Sequence, residues 1–186
     1  MNNSFEQSNK VHRNIYIALL VAQGVVIGLL ERLIPFPFAF APGAKLGLAN
    51  LITVVAIFTL SFSDVITLTF LRVILTALLG GTLSTFLYSF GGAFLSLFAM
   101  VLVKQLGPKR VSLIGISATG GVMHNVGQLV VASLIAKTWT VMLYLPVLSI
   151  IGLCAGTALG IAANYLFTHV TSLSYLKFTH EQQTKE

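Results

Sequence analysis

The sequence contains very little charge, and acidic residues are especially scarce. Only 9% of its 186 residues are charged, and the acids are Glu6, Glu31, Asp64, Glu181 and Glu186. A soluble domain normally has about a quarter of its residues charged, because its surface must be hydrated. Since 56% of the residues are hydrophobic and the mean hydropathy is +0.91, the polar surface is too small for a soluble globule. We therefore expect the outer surface to face lipid.

Chemical groups that common enzyme classes need are also scarce. The single cysteine, Cys154, excludes a disulfide framework and a cysteine metal cluster. No glycine-rich loop is followed by lysine and a hydroxyl residue, so ATP binding through a P-loop is not expected. The net charge of +6 comes from basic residues scattered between apolar blocks, which does not indicate a nucleic-acid surface. We expect no catalysis by this chain alone, no cofactor and no metal ion.

Apolar runs bounded by glycine and proline predict helices that cross a membrane, which takes about 20 mainly apolar residues each. The predicted helices are 15–33, 46–61, 65–79, 82–103, 111–136 and 139–167. The second and third are short, so a hairpin of two short helices and a partly re-entrant pair both fit there. The predicted fold is all-α, a polytopic membrane protein forming a compact bundle of about six transmembrane helices. Tails at 1–14 and 169–186 flank the membrane domain 15–168.

The distribution of lysine and arginine predicts the orientation, because short cytoplasmic loops of membrane proteins are enriched in both. With the N-terminus inside, the cytoplasmic side holds Lys10, Arg13, Lys104, Lys109, Arg110, Lys177 and Lys185. The outer side then holds Arg32, Lys45 and Lys137. We therefore expect a multi-pass protein of the cell membrane with both termini in the cytoplasm.

One arginine is predicted to lie near the middle of the membrane. Arg72 is eight residues from Asp64 at one end of the third helix and eight from Gly80 at the other. A charge at that depth costs about 2.5–3.5 kcal/mol or more, so it normally has a partner and a role. Two interpretations stay open: a salt bridge with Asp64 or Glu31, and a site that binds an anionic ligand.

Two further polar clusters interrupt the apolar sequence. His124 and Gln128 lie about 40° apart on the fifth helix, and Asn125 falls in the same broad arc. Lys45 is predicted near the outer interface, with Asn50 deeper. Helix bridging and lysine snorkelling are one interpretation, and a polar pocket is the other. The pocket hypothesis predicts that a set of polar residues converges below the outer surface: Arg72, His124, Asn125, Gln128 and Asn50, with Lys45 at the rim.

Small residues recur at helical spacing in two helices. The fourth helix carries Thr82, Thr85, Ser89, Gly92 and Ser96, which is typical of tight interhelical packing. The first helix carries Ala18 and Ala22, a small-xxx-small pair that suits docking against a helix of another subunit.

The sequence resembles a known family at its polar clusters. The resemblance covers roughly residues 12–168 and depends on segment 42–50 (PGAKLGLAN), on Arg72 followed by Gly80-Gly81-Thr82, and on His124-Asn125 with Gln128. These resemble the Gx transporter family, whose members are also labelled heptaprenyl diphosphate synthase component I. That family is similar to the S components of energy-coupling factor (ECF) transporters, small six-helix membrane proteins that capture vitamins or related micronutrients.

The resemblance implies two alternative functions. In S components an alanine pair on helix one, matched here by Ala18 and Ala22, contacts a coupling subunit, and separate ATPase subunits hydrolyse ATP. The first expectation is therefore a membrane subunit that binds a small-molecule substrate for uptake. The alternative is a non-catalytic membrane partner of a polyprenyl (heptaprenyl) diphosphate synthase subunit. Such synthases hold magnesium and diphosphate with paired Asp-rich motifs, and a chain whose only aspartate is Asp64 cannot build one.

Overall fold

The computed structural model of the protein describes residues 2–33 and 45–170, and all regular structure in these ranges is helical. The helices are α1 (Asn2–Glu31), α2 (Asn50–Thr59), α3 (Phe62–Gly80), α4 (Leu83–Lys104), α5 (Leu113–Ala136) and α6 (Leu145–Val170). A short 3₁₀ helix, Trp139–Tyr144, precedes α6. The predicted all-α bundle is confirmed.

Within the described residues, four segments are long and apolar enough to cross a membrane: Asn9–Glu31, Phe62–Gly80, Leu83–Lys104 and Trp139–His169. Helix α2 has 10 residues, so it rises only about 15 Å and cannot cross a 30 Å hydrocarbon layer by itself. Helix α5 has 24 residues and lies between α4 and α6, with its polar cluster in the interior of the bundle. The described architecture is that of a polytopic helical membrane protein.

Local sequence explains where the observed helices depart from the predicted bounds. Helix α1 begins at Asn2 rather than at residue 15, since the polar segment before the apolar run contains neither glycine nor proline. Helix α2 begins only at Asn50, because Gly47 has φ of +83° and breaks the helical path. Helix α3 begins at Phe62, where the Ser61 side chain accepts a hydrogen bond from the Asp64 amide and caps the helix.

Glycines bring the backbones of neighbouring helices into direct contact. A Cβ on Gly121 of α5 would overlap the carbonyl oxygen of Gly152 of α6, and one on Gly127 would overlap the Gly91 carbonyl of α4. Such close approach is what small residues permit in membrane helix packing. Of the predicted packing stripe of α4, Gly92 and Ser96 contact α5, with Gly92 lying against His124. Thr82 and Thr85 instead form the exposed capping box at the start of α4. Tight packing fixes which face of α5 each polar side chain occupies.

Helices α1 and α3 run side by side in the same direction. A Cβ on Gly24 would lie 2.5 Å from Cδ of Arg72, and one on Gly28 would lie 3.1 Å from Cγ2 of Thr76. The short α2 is buried against its neighbours along most of its length. Its C-terminal carbonyl groups are partly satisfied by Lys104, whose Nζ donates to the Ile57 carbonyl oxygen at 2.6 Å. This arrangement leaves the start of α2 facing the end of α1.

Candidate functional site

A cavity opens where α1 ends and α2 begins, between these helices and α3, α4 and α5. Its empty space is about 340 Å³, including the part that opens outward. The part that admits the centre of a water molecule is about 20 Å³, which is room for one or two waters. The wall consists of Gly28, Glu31, Lys45, Gly47, Ala49, Arg72, Val73, Thr76, Ser89, Ala93 and His124.

Arg72 lies on this wall with 5% of its surface exposed. Its stem crosses α1 at Gly24, where any side chain would collide with it. One terminal nitrogen donates to Oγ1 of Thr53 at 3.5 Å, the upper limit for a hydrogen bond, and Nε has no partner. Among residues 2–33 and 45–170, no carboxylate lies within 4 Å of the guanidinium, so the salt-bridge interpretation does not describe this arrangement.

The two acids that were candidates for pairing with Arg72 have other partners. Asp64 lies 3.9 Å from Nε of Arg13, near the start of α3 and away from the cavity wall. Glu31 is buried on the cavity wall, where its Oε1 accepts hydrogen bonds from the amides of Gly47 at 2.5 Å and Leu48 at 3.2 Å. Glu31 therefore acts on Arg72 only through space, while it holds the segment before α2 against the end of α1.

Gly47 is required where this segment passes over the site. Its φ of +83° is strained for residues with a side chain. A Cβ here would also lie 2.9 Å from Cδ2 of His124 and 3.1 Å from Nδ2 of Asn50. The close approach of backbone to imidazole therefore depends on glycine at this position.

Gln128 joins the same segment to α5. Its Oε1 accepts from the Lys45 amide at 3.1 Å, and its Nε2 lies 3.3 Å from the Lys45 carbonyl oxygen and 2.6 Å from Nε2 of His124. If the glutamine Nε2 donates to His124, the imidazole Nε2 is the acceptor and the proton lies on Nδ1. That Nδ1 faces α4 at Gly92 and has no hydrogen-bond partner. With this assignment of the proton, the histidine at the centre of the cluster is neutral.

Lys45 lies half-buried on the wall, outside the helices. Burial, followed by the nearby positive charge of Arg32, lowers the pKa of its ammonium group to about 8, although the Glu31 carboxylate acts in the opposite direction. A lysine in this setting changes charge close to neutral pH, unlike the arginines beside it.

The predicted site residues are brought together only in part. Lys45, Arg72 and His124 share the cavity wall, and Gln128 contacts both Lys45 and His124. Asn50 lies behind Gly47, where its Nδ2 donates to Oγ of Ser96 at 3.2 Å and its Oδ1 has no partner.

Asn125 lies on another side of α5 from the cavity. Its Nδ2 donates to the Leu148 carbonyl oxygen of α6 at 2.7 Å, and it is absent from the wall described above. Its buried amide therefore ties α5 to α6.

Sequence reasoning missed several residues of the wall. Glu31 was considered only as a partner of Arg72, and Ser89 only as a packing residue. The available signal for Glu31 was its chemistry, since an acid at the end of a membrane helix is rare and usually functional. Three small or apolar wall residues carried no sequence signal at all: Gly28, Val73 and Ala93.

Ala18 and Ala22 lie on an exposed side of α1. Ile15, Leu19 and Val26 on the same helix are also more than half exposed. No other part of the described chain covers these alanines, so the surface faces either lipid or another protein.

The sequence model of the family described as heptaprenyl diphosphate synthase component I matches residues 20–166, well over half of the chain. The chain belongs to this family. The match includes the whole cavity wall and all of the predicted polar site residues, and it confirms the resemblance seen in the sequence. The description names one component of a synthase. Neither a curated protein nor a solved structure matches the chain.

Proposed function

We propose that this protein is a membrane-embedded binding subunit that captures a small organic molecule, of micronutrient size, in the cavity between α1, α3, α4 and α5. The observation that carries the proposal is Arg72, a buried charge on a cavity wall with no carboxylate of residues 2–33 or 45–170 in salt-bridge range. Burying an ion costs several kcal/mol unless a partner compensates it. A ligand in the cavity supplies that partner.

The segment in front of α2 regulates access in this proposal. It is fastened by side chains at its two ends, with Glu31 holding Gly47 and Leu48, and Gln128 holding Lys45. The present cavity has room for only one or two waters. A larger ligand therefore requires the walls to move apart, and these hydrogen bonds are the contacts that must rearrange.

Transport would be energised by other subunits. The sequence offers no P-loop, so ATP hydrolysis falls to separate ATPase subunits joined through a coupling subunit. The exposed alanines Ala18 and Ala22 on α1 provide a surface on which a partner helix can approach closely. In this arrangement both termini are cytoplasmic, and the cavity opens towards the outside of the cell membrane.

The family description favours a second candidate function, that of a non-catalytic membrane partner of a polyprenyl diphosphate synthase. The partner would then be a catalytic subunit that supplies the Asp-rich motifs this chain lacks. Affinity purification from the native cell, followed by identification of the co-purifying proteins, separates the candidates. An ATPase and a membrane coupling protein support uptake, whereas a polyprenyl synthase subunit supports the second function.

A cavity-filling variant tests ligand binding directly. Ala93 is 2% exposed on the wall, so Ala93→Leu places three further carbon atoms in the cavity. Ala162→Leu makes the same chemical change on the exposed side of α6 and serves as the control. Small molecules are extracted from each purified protein and identified by mass spectrometry. We expect one compound to be retained by the wild type and the control and lost from Ala93→Leu; identical extracts from all three would refute binding in this cavity.

A further inference from the structure

The charges on the cavity wall are not balanced. Among the described residues of the wall, Arg72 and Lys45 contribute two cationic groups, and Glu31 contributes one carboxylate. The Glu31 carboxylate is already engaged by two backbone amides. His124 adds no negative charge, since imidazole is neutral or cationic. The wall therefore has an excess of positive charge in a setting where water is scarce.

Side chains on the wall also carry buried polar atoms without a hydrogen-bond partner, among them Nε of Arg72 and Oγ of Ser89. Arginine presents five N–H donors, yet the Arg72 side chain has one hydrogen bond, a long one to Thr53, and its Nε–H has none. Ser89, 9% exposed on the facing helix α4, has a hydroxyl without a partner. A buried donor without an acceptor costs about 1–3 kcal/mol. Among the described wall residues, the one negatively charged oxygen acceptor is the Glu31 carboxylate, which already accepts from two backbone amides, so Arg72 and Ser89 have no charged acceptor of their own.

The remaining wall limits the rest of the ligand. Gly28, Ala49, Val73 and Ala93 offer small, apolar surfaces with no hydrogen-bonding side chain. They suit a compact apolar body attached to the charged group. Thr76 adds one further hydroxyl to this part of the wall, and that hydroxyl already donates to the Arg72 carbonyl oxygen.

From this arrangement we infer that the ligand is an organic oxyanion, with a carboxylate or phosphate group bound by Arg72 and Ser89 and flanked by Lys45. Arginine matches both groups through paired N–H donors, and such charge-assisted hydrogen bonds are about twice as strong as neutral ones. The inference depends on the proposed binding function and specifies the chemical class of its ligand.

The test uses the full chain, purified in mild detergent, and the charge of the compound that it retains. Extracts of the wild type, Arg72→Met, Ser89→Ala and Arg110→Met are partitioned between chloroform and water and measured by mass spectrometry in both ion modes. Arg110 lies exposed beyond the end of α4 and is the matched control. We expect an anionic compound whose amount per mole of protein falls about tenfold or more in Arg72→Met, falls less in Ser89→Ala and is unchanged in Arg110→Met.

The outcomes separate this inference from the function on which it depends. An anion in the water phase identifies a soluble solute, and one in the chloroform phase identifies a lipid headgroup; either supports the charge assignment. A neutral or cationic compound that Ala93→Leu loses would overturn the inference and leave the binding function intact. If no compound distinguishes the wild type from Ala93→Leu, the binding function and the inference both fail. Ser89→Ala removes one oxygen atom only, so it keeps the test decisive if Arg72→Met does not fold.

Discussion

Replacing Arg72 with methionine separates a binding role from a structural one, because methionine keeps most of the bulk of the stem and removes the charge. The substitution loses one hydrogen bond, to Thr53 at 3.5 Å, which is worth at most about 0.5–1.5 kcal/mol. The apolar stem that lies against Gly24 is largely preserved. Glu31 loses a nearby positive charge but keeps its two backbone amide donors.

The substitution should also stabilise the protein, because it removes the cost of burying a charged side chain away from water. An arginine at the centre of a membrane helix costs about 2.5–3.5 kcal/mol on insertion scales, and no carboxylate in the described chain offsets this cost by a salt bridge. Setting this gain against the lost hydrogen bond, we expect Arg72→Met to raise the free energy of unfolding by about 1–3 kcal/mol. The same variant should no longer retain the ligand. This opposition of stability and binding is typical of a functional site.

Unfolding of the purified protein in mixed detergent micelles measures the free energy, with the ligand removed beforehand so that binding does not contribute. The exposed Arg110→Met is the control and should change stability by less than about 0.5 kcal/mol. If Arg72→Met instead lowered the unfolding free energy by about 3 kcal/mol or more, the arginine would be part of a structural ion pair. The argument from its missing partner would then be refuted.

Four further predictions follow from the packing, the charges and the exposed surfaces. Gly121→Ala should lower the unfolding free energy by about 2 kcal/mol because its Cβ would overlap the Gly152 carbonyl. The control is Gly115→Ala, whose Cβ would meet only the side chains of Val111 and Ser112, and it should be neutral or stabilising by up to about 1 kcal/mol. If both variants changed the unfolding free energy in micelles equally, the close contact at Gly121 would be contradicted. Since burial lowers the pKa of Lys45 to about 8, its charge is lost between pH 7 and pH 9, and affinity for an anion should fall over that range. Equilibrium dialysis measures this affinity at each pH, and in Lys45→Arg it should stay constant between pH 7 and pH 9. If the affinity of Lys45→Arg fell as much as that of the wild type, Lys45 would be excluded as the cause. Replacing Ala18 and Ala22 with tryptophan should abolish co-purification of a coupling subunit. The control variants Ala158→Trp and Ala162→Trp, on the exposed side of α6, should still co-purify it. Co-purification that survives the changes at Ala18 and Ala22 would count against docking through α1. In a Cys154→Ala background, a membrane-impermeant thiol reagent applied to intact cells should label Lys137→Cys and leave Lys109→Cys unlabelled; the reverse result would invert the proposed orientation.

Sequence alone identified the helices and their order, because the cost of placing polar groups in lipid acts locally and leaves long apolar runs. The shortness of α2 was visible in the sequence. The third helix was also predicted to be short, and there the prediction was wrong, since α3 has 19 residues and is long enough to cross a membrane. Helix ends were less certain, since they depend on caps and backbone conformation. The Ser61 cap starts α3 at Phe62, three residues before the predicted start, and Gly47 delays the start of α2 to Asn50. These are effects of single residues that hydropathy does not register.

Sequence also selected the residues with unusual chemistry but not their partners. Arg72 and His124 were notable as polar groups at membrane depth, and Lys45 as a lysine near the outer interface. The structure places all three on one cavity wall. It also shows that Glu31 engages backbone amides rather than a salt bridge with Arg72. No sequence pattern reports such a pairing, since it joins the end of one helix to the start of the next across a turn whose path is set by packing.

The clearest division between the two sources of information lies within α5. Its sequence places His124, Asn125 and Gln128 within one turn and a half, which suggested a single polar face. Adjacent helical residues point about 100° apart, however. Close contacts at glycines place α4 on one side of α5 and α6 on another. His124 consequently reaches the cavity, while Asn125 bonds to the Leu148 carbonyl of α6. Sequence determined that these polar groups had to be buried, because lipid cannot solvate them; only the packing of neighbouring helices decided which of them faces the cavity.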